Sequence, residues 1–582
     1  MSFTPILLID LSRFRPENIF GGQILERTSA GLSIVYLFAI AILIAFLILS
    51  FIENFRRRKF TFERDLPRRA ARKLTQTIAN RGLMVWQVVF VILALFVFGS
   101  QFYWAFYADD WNEKFQALSY KDLRNRRISA ANLRGWMLDR SGTLENALAF
   151  YKVEPDGTIG REFSLDKEMA HLLGTERGEP GLERSLYSKS ADPMPEAWEI
   201  LTKYKKPQAE NRDVRITIDK NLQAFAAKQL KDRNGAVVVL NPQTGDLLAM
   251  YSNPAYKLSD AETLAGYLKL QADKKNKPLV NRAMREFYMP GSTFKTFTMI
   301  SAFRAGKQNV DLPAKPAPEC YTPFRGSRAI CDAGGGCHGC EGPIREAFKR
   351  SSNQFFSRLA NELGRQRMAE TAGVFGIAAV DTSEDALKQG LYLDFWNTTN
   401  PRLARAIAPS RSAITTGAGL NLYESAIIGM GQGGAGTVTP LELALIASAP
   451  GNMEGKLMRP KIEMDVQPQA FSQVLTPAQA REVRDIMSTV TEEAGGTGTR
   501  VKAILAGTNI NTGGKTGTAD KERPVYNKDG TVQKYPKRKK NADGEWVEYQ
   551  QTRMSEQWDA LFICLAPIEN PQLAIAVAVE NV

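Results

Sequence analysis

The sequence predicts an α+β protein in three parts. Two N-terminal transmembrane helices lead into a smaller pedestal domain, and a larger domain follows in which an antiparallel sheet is flanked by helices. Three observations predict this. First, residues 30–52 and 83–107 carry no charged side chain, and about 20 apolar residues suffice to cross a bilayer core of about 30 Å. Second, two apolar runs at 236–240 and 247–251 flank a polar Asn241–Asp246 turn, the pattern of a hairpin. Third, helical apolar spacing follows, and two more strand-like runs close the chain at 560–565 and 573–579.

The parts follow in order. Residues 1–29 are mixed and carry no assignable role. The connector 53–82 holds Arg56, Arg57, Arg58, Lys59, Arg64, Arg68, Arg69, Arg72, Lys73 and Arg81 against Glu53, Glu63 and Asp65. The positive-inside rule puts such a loop in the cytoplasm, so residues beyond Tyr107 face outward. A cleaved signal peptide does not fit, because the first apolar run starts late and is too long. Residues 108–232 read as a pedestal that lifts the rest off the membrane. Within it, Thr217-Ile218-Asp219 caps a helix running to about Asp232, with Leu222, Phe225, Ala226 and Leu230 on one face. Residues 233–582 form the large domain. There, Thr439-Pro440-Leu441-Glu442 reads as a capping box with proline at the first helical position. The glycines of 429–436 read as a tight turn, since no nucleotide fingerprint surrounds them. The polar stretch 520–557, with Lys537-Arg538-Lys539-Lys540, reads as a solvated hairpin tip. The alternative is a basic lip that collects anionic polymer.

Composition narrows the chemistry. The net charge of +13 in 582 residues is largely local to the connector and is not a nucleic-acid signature. The chain has only two histidines, His171 and His338, which supplies a Ser-His-Asp triad poorly. A lysine base needs no histidine. In Met289-Pro290-Gly291-Ser292-Thr293-Phe294-Lys295, proline and glycine read as a turn. A helix then runs from Ser292 to about Gly306, covered by Phe294, Phe297, Met299, Ile300 and Phe303. Residues i and i+3 share a helix face, so Lys295 lies beside the Ser292 hydroxyl. Serine needs such a base to become a nucleophile. The free N–H groups of a helix start can stabilise an oxyanion. Alone, Ser-x-x-Lys fits a capped surface helix equally well.

Two downstream motifs change that reading. Ser351-Ser352-Asn353 and then Lys515-Thr516-Gly517-Thr518 follow in order. The ordered trio resembles the signature of penicillin-binding proteins and serine β-lactamases. Residues 134–142, 181–183, 235–250, 281–283, 431–441 and 566–581 resemble further blocks of that family. The likeness covers roughly residues 130–582 and is to the monofunctional, class B type, with a penicillin-binding transpeptidase fold. Two spans depart from the family's usual single anchor. About 125 residues of pedestal are too few for a glycosyltransferase domain.

The resemblance implies a membrane-bound peptidoglycan D,D-transpeptidase whose catalytic domain lies on the extracytoplasmic, periplasmic side of the inner membrane. Ser292 would be acylated by a stem peptide ending in D-Ala-D-Ala, and an amine of a neighbouring stem would take the acyl group. β-Lactams would acylate the same serine. Lys295 would be the base, Lys515 the second cation that lowers its pKa, and Ser351 the proton relay. Asn353 would hold the substrate amide. Lys515, Thr516 and Thr518, with Gly517 between them, would bind the substrate carboxylate. The N–H groups of Ser292 and Thr518 would form the oxyanion hole. The route needs no metal or organic cofactor. Partners implied are peptidoglycan stems, β-lactams, the membrane and a membrane glycosyltransferase, with no nucleic acid. Two other readings stay open: a D,D-carboxypeptidase or β-lactamase-like hydrolase, and a non-catalytic β-lactam sensor or scaffold.

Cys320, Cys331, Cys337 and Cys340, with His338 among them, form a separate cluster. Outside the cytoplasm disulfides are the default. The same residues could instead hold a structural zinc ion. Either staple stiffens the loop leading to Ser351. Cys564 reads as a small buried residue.

Overall fold

The computed structural model describes residues 135–582 with breaks at 154–158, 175–180, 188–212, 262, 311, 313–318, 434–435, 528–530 and 541–545. Of the first 134 residues it describes Phe90, Val91, Ala94 and Val97, all helical. Segment 1–29, the spans 30–52 and 83–107 and the loop 53–82 otherwise lie outside the described residues. Among the described residues no helix is long and apolar enough to cross a membrane. The chain divides into two compact units, Met1–Ser129 with Ser190–Gln208, and Ala130–Lys189 with Ala209–Val582. All elements named below belong to the second.

The hairpin forms where the sequence places it. Strand β1 is Gly235–Leu240 and β2 is Leu247–Asn253. Both are buried almost throughout, and strands covered on two faces read as continuous apolar runs. Among the helices that follow, four frame the site: α1 (Lys295–Arg304), α2 (Asn353–Phe375), α3 (Pro440–Gly451) and α4 (Pro477–Glu492). Strands β3 (Gly513–Pro524), β4 (Met554–Ala566) and β5 (Leu573–Val579) complete an antiparallel sheet in the order β3-β4-β5-β1-β2. In β5, Ala574, Ala576 and Ala578 are fully buried. These small side chains let α3, itself buried along its whole length, lie close on the sheet.

The serine helix is not a capped surface helix. Every residue of α1 from Lys295 to Phe303 is buried. The reason is its central place, packed against α2, α3 and α4 with the sheet edge over its first turn. Phe294 and Phe297 stack at 4.5 Å, and Phe297 meets Phe375 of α2 at 5.9 Å. Burying a side chain of this size stabilises by about 1.5–3 kcal/mol.

The pedestal segment packs into the same unit. A four-stranded sheet orders Ile159–Phe163, Ala147–Val153, Met137–Leu138 and Val214–Arg215. Arg161 clamps Glu183, which is almost wholly buried, through two guanidinium contacts. Asp219 caps the helix Lys220–Leu230 as expected, but Phe225 is 58% exposed. The inward face is Gln223, Ala226 and Leu230, because Gln223 hydrogen-bonds across to Met250 of β2. His171 is half-buried, edge-on to Tyr256, and its ring meets the Pro278 carbonyl at 2.7 Å, so it serves this joint.

The polar stretch after Lys515 is a paired ribbon. β3 and β4 stay in register from Gly513↔Leu565 to Pro524↔Met554. Beyond them Lys534–Lys540 pairs with Trp546–Thr552 to make an exposed tip.

The expected capping box at α3 is only half made. The Thr439 hydroxyl accepts from the Glu442 N–H at 3.2 Å, and Pro440 takes the first helical position. The Thr439 N–H, however, donates to the Ser412 hydroxyl at 3.3 Å rather than to Glu442. Glu442 is thus left buried, with one carboxylate oxygen lacking a partner. Burial raises its pKa to about 8, against the opposing pull of Arg411. A carboxyl that is neutral when folded and ionised when unfolded makes stability fall as pH rises between its two pKa values. Glu442→Gln removes that dependence. The melting-temperature difference, variant minus wild type, is therefore expected to increase from pH 5 to pH 8. The gain is at most about 1.4 kcal/mol per pH unit, and differential scanning calorimetry across that range checks it.

Candidate active site

The serine turn and the lysine strand approach each other because glycine stands on both sides. Ser292 sits in a short 3-10 turn, Gly291–Phe294, that runs straight into α1. Gly291 adopts φ +52°, and a Cβ there would lie 2.4 Å from the carbonyl oxygen of Thr518. A Cβ on Gly517 would lie 2.8 Å from Cγ2 of Thr293 and 3.0 Å from its backbone nitrogen. The Gly429–Gly436 turn joins from a third side, with the Gly291 N–H donating to the Gly431 carbonyl at 2.8 Å. Gly431 itself takes φ +80°, where a Cβ would strike the Gly291 carbonyl.

β3 is the edge strand, so its free side faces this turn. The Thr518 carbonyl accepts from the Gln432 side chain at 2.9 Å on that side. A strand residue's N–H and C=O point the same way. The Thr518 N–H therefore also points at the serine turn, as an oxyanion donor must. The Ser292 side chain is half-buried. Among the described residues its hydroxyl makes no hydrogen bond, which leaves it open to an incoming carbonyl.

Lys295 is fully buried, one turn below the serine. Its Nζ donates to the Ser351 carbonyl at 2.7 Å, the Asn353 Oδ1 at 2.7 Å and the Ser351 Oγ at 3.3 Å. Lys515, also fully buried, donates to the Ser351 Oγ at 2.8 Å and the Thr516 carbonyl at 3.0 Å. Ser351 thus stands between two lysines brought from distant parts of the chain. Burial lowers the Lys295 pKa from 10.5 to about 7, while the Asp332 carboxylate acts to raise it. Burial also pushes Lys515 well below its usual value, and repulsion from Lys295 adds to that.

Ser351 owes its place to a helix junction. The helix Ile344–Arg350 ends on it, and it takes the left-handed conformation φ +60°, ψ +41°. For a residue other than glycine this conformation costs of order 1 kcal/mol or more. Ser352 then caps α2, accepting from the Phe355 N–H at 3.1 Å. Asn353, expected to hold the substrate amide, makes two contacts within the protein. Its Oδ1 holds Lys295, and its Nδ2 donates to the Cys331 carbonyl at 3.1 Å.

The cysteines form two disulfides, Cys320–Cys331 and Cys337–Cys340, with His338 between the second pair. The Asp332, Cys337 and Cys340 ligand atoms lie within 4.8 Å of one another, but both sulfurs are already bonded. Cys564 is buried in β4.

Three residues of the site were not singled out from sequence. Thr497 meets the Thr516 hydroxyl at 2.7 Å, from the run Gly495-Gly496-Thr497-Gly498. Gln432 steers the Thr518 carbonyl. Asp332 lies under the start of α2. The glycine run around Thr497 was a readable signal, whereas nothing local marked Asp332. A surface hollow of about 730 Å³ around the α2 kink at Gly364 contains none of the motif residues.

Comparison with known proteins gives concordant results. Residues 235–582 match the family model described as the penicillin binding protein transpeptidase domain. The peptidoglycan D,D-transpeptidase PbpA of Mycolicibacterium smegmatis is 29% identical over 367 residues, covering 60% of this chain and 62% of that protein. The peptidoglycan D,D-transpeptidase MrdA of Acinetobacter baumannii is 26% identical over 395 residues, covering 65% of this chain and 52% of that protein. The chain thus spans less than two thirds of the length of these curated relatives. Among solved structures, the D,D-transpeptidase domain of a peptidoglycan glycosyltransferase from Eggerthella lenta superposes with a TM-score of 0.55. It is 23% identical and covers 77% of this chain and 94% of that one. Penicillin-binding protein A of M. tuberculosis, in its imipenem acyl-enzyme complex, gives 0.54 at 22% identity, covering 77% and 93%. These two likenesses establish the α+β fold.

The glycine contact generates a test. Gly291→Ala meets the Thr518 backbone, whereas Gly306→Ala, also at positive φ (+67°), has nothing within 4 Å. Both carry the left-handed penalty, but only the first must also push the strand away. Gly291→Ala is expected to lower stability by about 2 kcal/mol or more beyond Gly306→Ala, read as the difference in urea midpoint at equal m-value.

Proposed function

Since the chain belongs to the penicillin-binding protein transpeptidase family, we propose that it is a serine peptidoglycan D,D-transpeptidase that also binds β-lactams covalently. The observation that carries this reading is Ser351 Oγ, hydrogen-bonded to both Lys295 and Lys515, with Ser292 on the turn that leads into Lys295.

The chemistry follows from the protons. A neutral Lys295 amine takes the Ser292 proton as the hydroxyl attacks the penultimate D-alanine carbonyl. The tetrahedral oxyanion sits between the N–H groups of Ser292 and Thr518. Losing one such donor typically costs about 2.7–4 kcal/mol of barrier stabilisation. The Ser351 hydroxyl passes a proton to the leaving D-alanine amine and is recharged across its hydrogen bonds to the lysines. The terminal carboxylate lies along Thr516, Gly517 and Thr518, where Lys515 supplies positive charge and Thr497 fixes the Thr516 hydroxyl. An amine of a second stem peptide then attacks the ester in place of water; the crosslinking amide forms, the Ser292 Oγ–acyl bond breaks, and the amine proton returns through Lys295 to Ser292 Oγ. The chain's own residues perform every step, so no cofactor is invoked.

The reading places the catalytic domain outside the inner membrane on two spans, 30–52 and 83–107, with the basic loop 53–82 in the cytoplasm. The charge asymmetry of that loop supports it, as do two disulfides in the domain. A membrane glycosyltransferase that polymerises the glycan is the partner this arrangement suits.

Labelling with a fluorescent penicillin is expected to give a stable adduct, followed by intact mass, that Ser292→Ala abolishes. An adduct that turns over rapidly would favour the hydrolase. No adduct on a folded chain would favour a sensor or scaffold. Lys295 must be neutral to act, so the acylation rate is expected to rise with pH through about 7 and then level off. Lys295→Met should lower that plateau about 10²–10⁴-fold, the usual worth of a general base.

A further inference from the structure

The loop that carries both disulfides reaches the site through one buried carboxylate. Asp332 is 4% exposed. Its Oδ1 accepts from the Ser352 hydroxyl at 3.0 Å and the Gln354 N–H at 2.9 Å. Its Oδ2 accepts from the same hydroxyl at 3.0 Å and from the His338 N–H at 2.7 Å. The first N–H groups of α2 have no partner within the helix. Ser352 satisfies one of them, at Phe355, and Asp332, 22 residues away in sequence, satisfies another at Gln354. An anion at a helix start is also favoured by the helix dipole.

Neighbouring contacts come from the same loop. The Cys331 carbonyl holds Asn353, and the Glu319 and Gly336 carbonyls hold the Gln354 side chain at 2.6 and 3.0 Å. Cys331 is pinned to Cys320, and Cys337–Cys340 brackets His338. The hydrogen bonds from Asp332, Cys331, Glu319 and Gly336 to the start of α2 all end on residues 352–354, directly after Ser351. Asn353 then grips Lys295 at 2.7 Å.

We propose that Asp332 is the positioning residue of the acylation site, and that the two disulfides of its loop set where Lys295, Ser351 and Asn353 stand. Asp332 touches neither Ser292 nor the lysines, so it acts through α2. The inference rests on the transpeptidase reading for its kinetic consequence. The charged groups facing Lys295 are Asp332, beneath the start of α2, which acts to raise its pKa, and Lys515, across Ser351, which is itself lowered by burial and by Lys295. Removing the Asp332 charge takes away the influence that holds the Lys295 proton on. Loss of packing alone has no such effect.

The test uses the full chain in detergent, with rates of fluorescent-penicillin acylation from pH 5.5 to 9 for wild type, Asp332→Asn and Asp332→Glu. The wild type is also measured after phosphine reduction and after reoxidation. Asp332→Asn is expected to acylate at least tenfold more slowly at the plateau, with its acid limb moved to lower pH. Asp332→Glu keeps the charge, so its limb stays with the wild type. Reduction slows the wild type and reoxidation restores it. Asp332→Asn within twofold of wild type with an unmoved limb would overturn the proposal. So would equal losses in both variants with no shift, or a reduced protein as fast as the oxidised one. Amide hydrogen exchange of residues 344–358 reads the same anchor without any reaction and should quicken in Asp332→Asn and on reduction. If the wild type forms no Ser292 adduct, the functional reading fails, while unchanged exchange in both would still refute the anchor.

Discussion

Everything in the site depends on keeping two lysines buried around one serine hydroxyl. Two ammonium groups sharing a dry pocket repel each other and lose their water. The pocket tolerates them by leaving Lys295 close to neutrality and giving both of them hydrogen-bond acceptors. The cost of burial is thus converted into an amine that is neutral, with its lone pair free, near pH 7. That conversion needs a rigid surround, because a lysine free to swing into water would regain its proton. The stacked Phe294 and Phe297 and the enclosed α1 supply that rigidity.

The second constraint is steric. A nucleophile on a helix start and a donor on a strand edge must come within reach of one carbonyl carbon. Side chains would hold those two backbones apart. Gly291, Gly431 and Gly517 remove them at the three points of contact. The left-handed Ser351 is the counterpart on the other wall, where a tight joint between two helices turns a hydroxyl inward.

Much of this could be read from the chain. Ser292, Lys295, Ser351, Asn353 and Lys515 were legible because each lies in a short motif whose spacing has a mechanical meaning. The hairpin at 235–253 was legible from two apolar runs around a polar turn, and the closing strands from their own apolar runs. What escaped was of another kind. Asp332 acts on Ser352 across twenty residues with no local pattern. Phe225 turned outward because a polar neighbour, Gln223, had a better partner inside. Glu442 failed to close its box because Ser412, nearly thirty residues earlier, had already taken the N–H. In each case a long-range hydrogen bond overrode a local preference, and local sequence does not report long-range bonds.

The order of strands has one more consequence. β5 sits in the middle of the sheet, between β4 and β1, although it comes last of the five in the sequence. The sheet therefore cannot close on the lysine strand until Leu573–Val579 has been synthesised and delivered. A chain emerging N-terminus first must hold β1, β2 and the serine helix unfinished, with apolar strand edges exposed, through most of its production. Pairings so distant in sequence form slowly, and waiting edges invite aggregation. The topology delays assembly of the serine pocket until the whole domain has arrived, and the waiting edges make the growing chain a natural client for chaperones.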